Sequence, residues 1–113
     1  MTSFDELLNN KPTLEWKERM DEEDDIFTEE NIRAADQVLN HYMTRLKALT
    51  NPSQEEVMEC VEEVVISLNE LNEKYDYFIE TEEREELCEF IDEAAQLAGV
   101  HSDEDITEEW REW

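Results

Sequence analysis

One glycine in 113 residues limits what this chain can fold into. Sandwiches and barrels turn every few residues, and their turns draw on Gly and Pro. This chain offers one Gly and two Pro. It must therefore be built from long segments with few reversals, and its Glu-, Leu-, Ala- and Lys-rich stretches favour helix. Hydrophobic residues make up 39% of the chain, enough for a modest core in one domain.

Apolar spacing locates three main helices. The first runs over 29–49, with Thr28 as its N-cap. Ile32, Ala35, Leu39, Tyr42, Met43, Leu46 and Leu49 give it one apolar stripe. Thr50-Asn51-Pro52 ends it. Ser53 and Glu56 form a capping box, and the second helix runs to about residue 74. Val57, Val61, Val64, Leu68 and Leu71 fall on one narrow face, opposite Glu59, Glu62, Glu63, Glu70 and Glu73. The third helix, capped by Thr81, runs to about residue 98 on a stripe of Leu87, Phe90, Ile91, Ala94 and Ala98. Gly99 stands where a left-handed residue closes a helix.

The ends are shorter and less regular. Ser3 and Glu6 make a capping-box pattern for a short helix over 4–8, which Lys11-Pro12-Thr13 breaks. Leu14 and Trp16 are candidates to anchor an N-terminal arm, residues 1–27. The run Asp21-Glu22-Glu23-Asp24-Asp25 reads as a solvated loop. At the other end, Ile106, Trp110 and Trp113 have the spacing of a short terminal helix capped by Thr107. The expected architecture is all-α: a compact bundle of three main helices (28–113) with short flanking helices at both termini, a single domain overall.

Charge sets the class of partner. Asp and Glu total 34 against 9 Lys and Arg, a net charge of −25. Such a chain is repelled by phosphate backbones and anionic lipid, so neither nucleic acid nor membrane is expected as a direct partner. A basic protein surface is the complement. The acids concentrate in the second and third helices, seven in each against one base, while the first is near neutral. Packed side by side, their outer faces would form one acidic surface. It is either a solvating face or a binding one. Ile66 projects opposite the apolar stripe, amid the glutamates. It is either covered by a terminal segment or exposed as an apolar anchor inside an acidic rim.

Motifs for catalysis are absent from the sequence. With one glycine there is no phosphate-cradling loop, and no nucleophile elbow or zincin pattern occurs. Close carboxylate pairs are unavoidable among 34 acids and carry no information. Cys60 and Cys88 read as reduced thiols in apolar surroundings, and His41 as a partly exposed structural residue. His101, Asp103 and Asp105 alternate and could hold a cation weakly. No cofactor is expected. The N-terminus has no basic or apolar leader pattern and no run reaches membrane-span length, so a cytoplasmic protein is the default expectation.

Leu68-Asn69-Glu70-Leu71-Asn72-Glu73-Lys74-Tyr75 is followed by Ile79-Glu80-Thr81-Glu82-Glu83-Arg84-Glu85, and Ala95 to Gly99 ends the next helix. This pattern resembles a group of small helical bacterial proteins of uncharacterised function. They share a helix ending in LNxLNxx(F/Y), an I-E-T turn and a helix ending in A-x-x-x-G. The resemblance covers about a third of the chain and implies a helical hairpin without an established activity. By looser analogy, some acidic helical proteins of this size are immunity proteins. The residues of the turn have their own logic: Ile79 can staple onto the third helix, Thr81 can cap it, and Arg84 can pair with Glu80.

The expected function is therefore a protein-binding module, not an enzyme. It would be of the immunity or inhibitor kind, covering a basic surface of its partner. Expected partner-binding residues are Glu59, Glu62, Glu63, Ile66, Glu70, Glu73, Glu80, Arg84 and Trp113. A nucleic-acid mimic that sequesters DNA-binding proteins is the first alternative, and a metal-binding module or enzyme the second. Oligomeric state stays open: Ile66 and Trp113 leave room for a dimer that like charge opposes.

Overall fold

In a computed structural model, described here for residues 4–21, 28–75, 77–100 and 106–113, five helices follow one another and no strand occurs among these residues. They are α1 (Phe4–Leu8), α2 (Pro12–Asp21), α3 (Glu29–Ala48), α4 (Gln54–Lys74) and α5 (Thr81–Leu97). Ser3, residues 22–25 of the acidic run, Asp76 and the set His101, Asp103, Asp105 lie outside the described residues.

The three main helices start and stop as their sequences dictate. Thr28 accepts from the Asn31 N–H at 3.1 Å, and the Asn31 side chain returns the bond to the Thr28 N–H at 2.9 Å. Ser53 and Glu56 form the same reciprocal box on α4. Acids in the first turn of α3 and bases in its last turn complement the helix dipole. Asn51, in a left-handed conformation (φ 47°), turns the chain into α4. α3 and α4 then run antiparallel: Val38 and Leu71 line one end of the seam between them, and Arg45 and Cys60 the other.

Two connections are closed by identifiable hydrogen bonds. After α5, Gly99 (φ 109°) is left-handed, its N–H donates to Gln96 O, and the Val100 N–H donates to Ala95 O at 2.9 Å. This is a Schellman closure, and Val100 is buried where such a motif places an apolar residue. After α4, the Tyr77 N–H donates to Asn72 O at 2.7 Å, and the buried Asn72 side chain accepts from the Ile79 N–H at 2.9 Å. Asn72 thus holds the α4–α5 turn with both its backbone and its side chain.

Several expectations are corrected. Residues 12–21 are helical, not an irregular arm. The short helix over 4–8 does end before Lys11-Pro12-Thr13, but Pro12 then opens α2 at the first position, where its fixed φ fits and its missing N–H goes unneeded. Trp16 is fully buried, edge-on to Phe78 at 5.9 Å, and with Leu7 joins the same core cluster as α3, α4 and α5. Leu14 is exposed, so Trp16 and not Leu14 anchors this segment in the core. Thr81 is the first residue of α5, not its cap; Glu80 takes the cap position and makes no side-chain capping bond. Residues 106–110 form turns, not a terminal helix, with the Arg111 N–H donating to Thr107 O at 3.0 Å.

Buried positions on α4 are broader than the expected narrow stripe. Cys60, Val65 and Asn72 are buried beside Val57, Val61, Val64 and Leu68. α4 is flanked on more than one side, by α3 and α5, so it needs a wider apolar arc than a surface helix. Tyr42 ties the layers together: its hydroxyl donates to Ile91 O on α5 at 2.8 Å, and burial pushes that phenol far above its ordinary pKa.

Candidate functional site

The outer face of α4 is built by helical spacing alone. Glu62, Glu63, Asn69 and Glu70 stand three or four residues from Ile66, and Glu59 and Glu73 stand two turns away on either side. Six of the seven side chains on this face are polar and one is apolar. Ile66 is 40% exposed, which settles the open question of whether a terminal segment covers it: none does so fully.

Beside Ile66 the chain's C-terminal segment closes one wall of a groove of about 450 Å³. α4 contributes Ile66, Asn69, Glu70 and Glu73; the segment contributes Glu109, Trp110, Arg111 and Glu112. Asn69 fastens that wall. Its Nδ2 donates to Trp110 O at 2.8 Å, and its Oδ1 accepts from the Glu112 N–H at 3.0 Å. One side chain thus satisfies two backbone groups of a segment that has no regular partner. Arg111 turns inward. Its guanidinium donates to the Cys88 sulfur at 3.0 Å and lies 5.6 Å from the Trp113 ring centroid. The rim of the groove is left to Glu70, Glu73, Glu109 and Glu112.

The nine expected partner-binding residues divide between several places. Glu59, Ile66, Glu70 and Glu73 share the exposed outer face of α4, and Glu62 is half-buried at its edge. Glu63 is taken by α3: its carboxylate bonds His41 Nε2 at 2.7 Å and pairs with Arg45. His41 is thus exposed but engaged across the α3–α4 seam. Glu80 and Arg84 stand at the start of α5 and are not joined by a salt bridge; Asn72, not that pair, pins the turn. Trp113 is half-buried, and its indole N–H is buried without a hydrogen-bond acceptor among the described residues.

α5 does not extend the acidic face as a simple continuation of α4. α1 and α2 pack along it. Glu83 is buried, and Glu86 accepts from the Trp16 indole N–H at 3.3 Å. Glu15, Glu86, Glu89 and Glu93 gather over Leu7 and Phe90 in a second cavity of about 290 Å³. Partial burial, then the adjacent Glu89 carboxylate, raise the Glu93 pKa above its ordinary value. No group of three or more metal-ligating side chains converges among the described residues. No described helix is long and apolar enough to cross a membrane.

Asn69, Glu109, Trp110 and Glu112 were not expected in a binding site. Asn69 was visible within the Leu-Asn repeat, whose two asparagines prove to hold two different backbone segments. The contribution of 109–112 depends on where the chain's end folds back, which no local pattern specifies. A comparison with known proteins finds no matching family model, no matching curated sequence and no matching solved structure.

Proposed function

We propose that this chain is a protein-binding module of the immunity or inhibitor kind, acting by covering a basic surface of its partner. The observation that supports this reading best is the exposed Ile66 ringed by glutamates on the outer face of α4. A purely solvating face gains nothing from a large apolar side chain at its centre. A binding face does: an apolar anchor supplies affinity, and the surrounding charge supplies steering and register. The net charge of −25 directs the module toward basic surfaces. Catalysis has no part in the reading.

The test is a pull-down from native lysate at low salt, eluted by a salt gradient, run in parallel with a variant carrying Glu59→Lys, Glu70→Lys and Glu73→Lys. These three side chains are exposed, so the variant should fold. The expected result is one basic protein retained by the parent chain and lost by the variant. A broad set of DNA-binding proteins would shift the reading to nucleic-acid mimicry. Equal retention by both would rule out this face.

A further inference from the structure

We infer that the groove between α4 and the C-terminal segment is the anchor site for a basic segment of a partner protein, seating one apolar side chain against Ile66 with Lys or Arg on both sides. The inference rests on the reading of the chain as an acidic binding module and gives that module its point of attachment. Three features of the groove select this occupant. Its lining is apolar at Ile66 on α4 and at Trp110 on the C-terminal segment. Both elements that line it carry carboxylates, Glu70 and Glu73 on α4 and Glu109 and Glu112 on the C-terminal segment. None of these four carboxylates makes a salt bridge among the described residues. Arg111, the one base in the lining, is turned to Cys88 and Trp113 and leaves the rim uniformly negative.

Charge complementarity excludes the other occupants. A second copy of a chain at −25 would bring the same carboxylates to an already negative rim. Nucleic acid and anionic lipid are repelled for the same reason. A segment with cations flanking an apolar residue meets every feature of the groove at once. The C-terminal wall can also adjust to it. That wall is irregular, is tied to α4 through Asn69, and ends in a Trp113 indole N–H that is buried without an acceptor among the described residues. A buried donor left unpaired is a cost that a small movement can relieve.

The test uses the full chain and three short peptides of equal length: an amphipathic helix of lysine and leucine, oligolysine, and a glutamate–leucine analogue. Binding is followed by NMR at low salt, on the Ile66 methyl, the Asn69 side-chain amide and the Trp110 indole. The lysine–leucine peptide should bind and shift these three signals. Ile66→Ser should weaken it about tenfold, as loss of a central apolar anchor does, and Ile66→Met should restore it. Oligolysine should bind more weakly and ignore both substitutions, and the glutamate–leucine peptide should not bind. Unchanged affinity in Ile66→Ser, with its fold intact by circular dichroism, would overturn the anchor site. So would shifts confined to other faces. In either case, salt-sensitive binding of oligolysine would leave the broader acidic-module reading standing. Failure of every basic peptide to bind at low salt would remove both.

Discussion

Single side chains decide how this chain's irregular segments are held. Asn72 and Asn69 lie one turn apart on α4, yet one closes the turn into α5 and the other fastens the C-terminal segment. Asn69→Ala should release that segment. We expect a loss of about 1–2 kcal/mol, the usual range for hydrogen bonds to otherwise unsatisfied backbone groups. Red-shifted emission from Trp110 and Trp113 would accompany it, and an unchanged spectrum would mean the segment is held by packing alone. Glu80 offers the opposite opportunity. It occupies the N-cap of α5 in extended conformation (φ −99°, ψ −173°) and makes no side-chain bond. A serine there can accept from the exposed N–H groups of the first turn. Glu80→Ser should therefore raise stability by roughly 0.5–1 kcal/mol in chemical denaturation.

At the scale of helices, the N-terminal pair is part of the core and not an appended arm. Trp16 fills a fully buried position, so Trp16→Ala should cost about 3–5 kcal/mol of global stability. A loss confined to α1 and α2, with α3–α5 still protected in hydrogen exchange, would show that the pair docks independently. The link between α2 and α3 is also electrostatic. Lys11 Nζ lies 2.7 Å from Asp36, and the Thr13 hydroxyl donates to the same carboxylate at 2.8 Å. Burial alone would raise the Asp36 pKa. The bonds from Lys11 and Thr13, with the charges of Lys11 and Lys17, outweigh it and hold the carboxyl below its ordinary 3.8. A depressed folded-state pKa stabilises the fold fully above the ordinary value and is lost as pH falls through the folded one. Asp36→Asn should thus cost about 1 kcal/mol at neutral pH, since the pair is partly solvated. The gap between parent and variant should close below about pH 4. A gap that persists in acid would assign the cost to lost packing.

Over the whole molecule, about 43 Å in its longest dimension, 34 acids face 9 bases. Their repulsion acts between exposed side chains and is screened over about 8–10 Å at physiological ionic strength. The melting temperature should therefore rise from low to moderate salt. A flat or falling profile would mean that the few pairs made, such as Lys11–Asp36 and Arg45–Glu63, matter more than the general repulsion. The same screening should weaken partner binding. Moderate salt is thus expected to tighten the fold and loosen the complex, two effects that one titration can separate.

The all-helical class, the three main helices, the Thr28 cap, the Ser53–Glu56 capping box and the glycine closure of α5 were legible in the sequence. Each rests on residues close in the chain: an N-cap and the residue three further on, an apolar stripe of period 3.6, a glycine where φ must be positive. The polar ring around Ile66 was legible for the same reason, since one helix's spacing defines it. Tertiary structure alone decided which of those side chains stay available. It gave Glu63 to His41 and Arg45, Glu86 to Trp16 and Asn69 to the chain's end, leaving Ile66 open beside a groove. Those outcomes depend on contacts between segments far apart in the chain. Local spacing fixes which side chains share a face, but only packing determines what, if anything, lies against it.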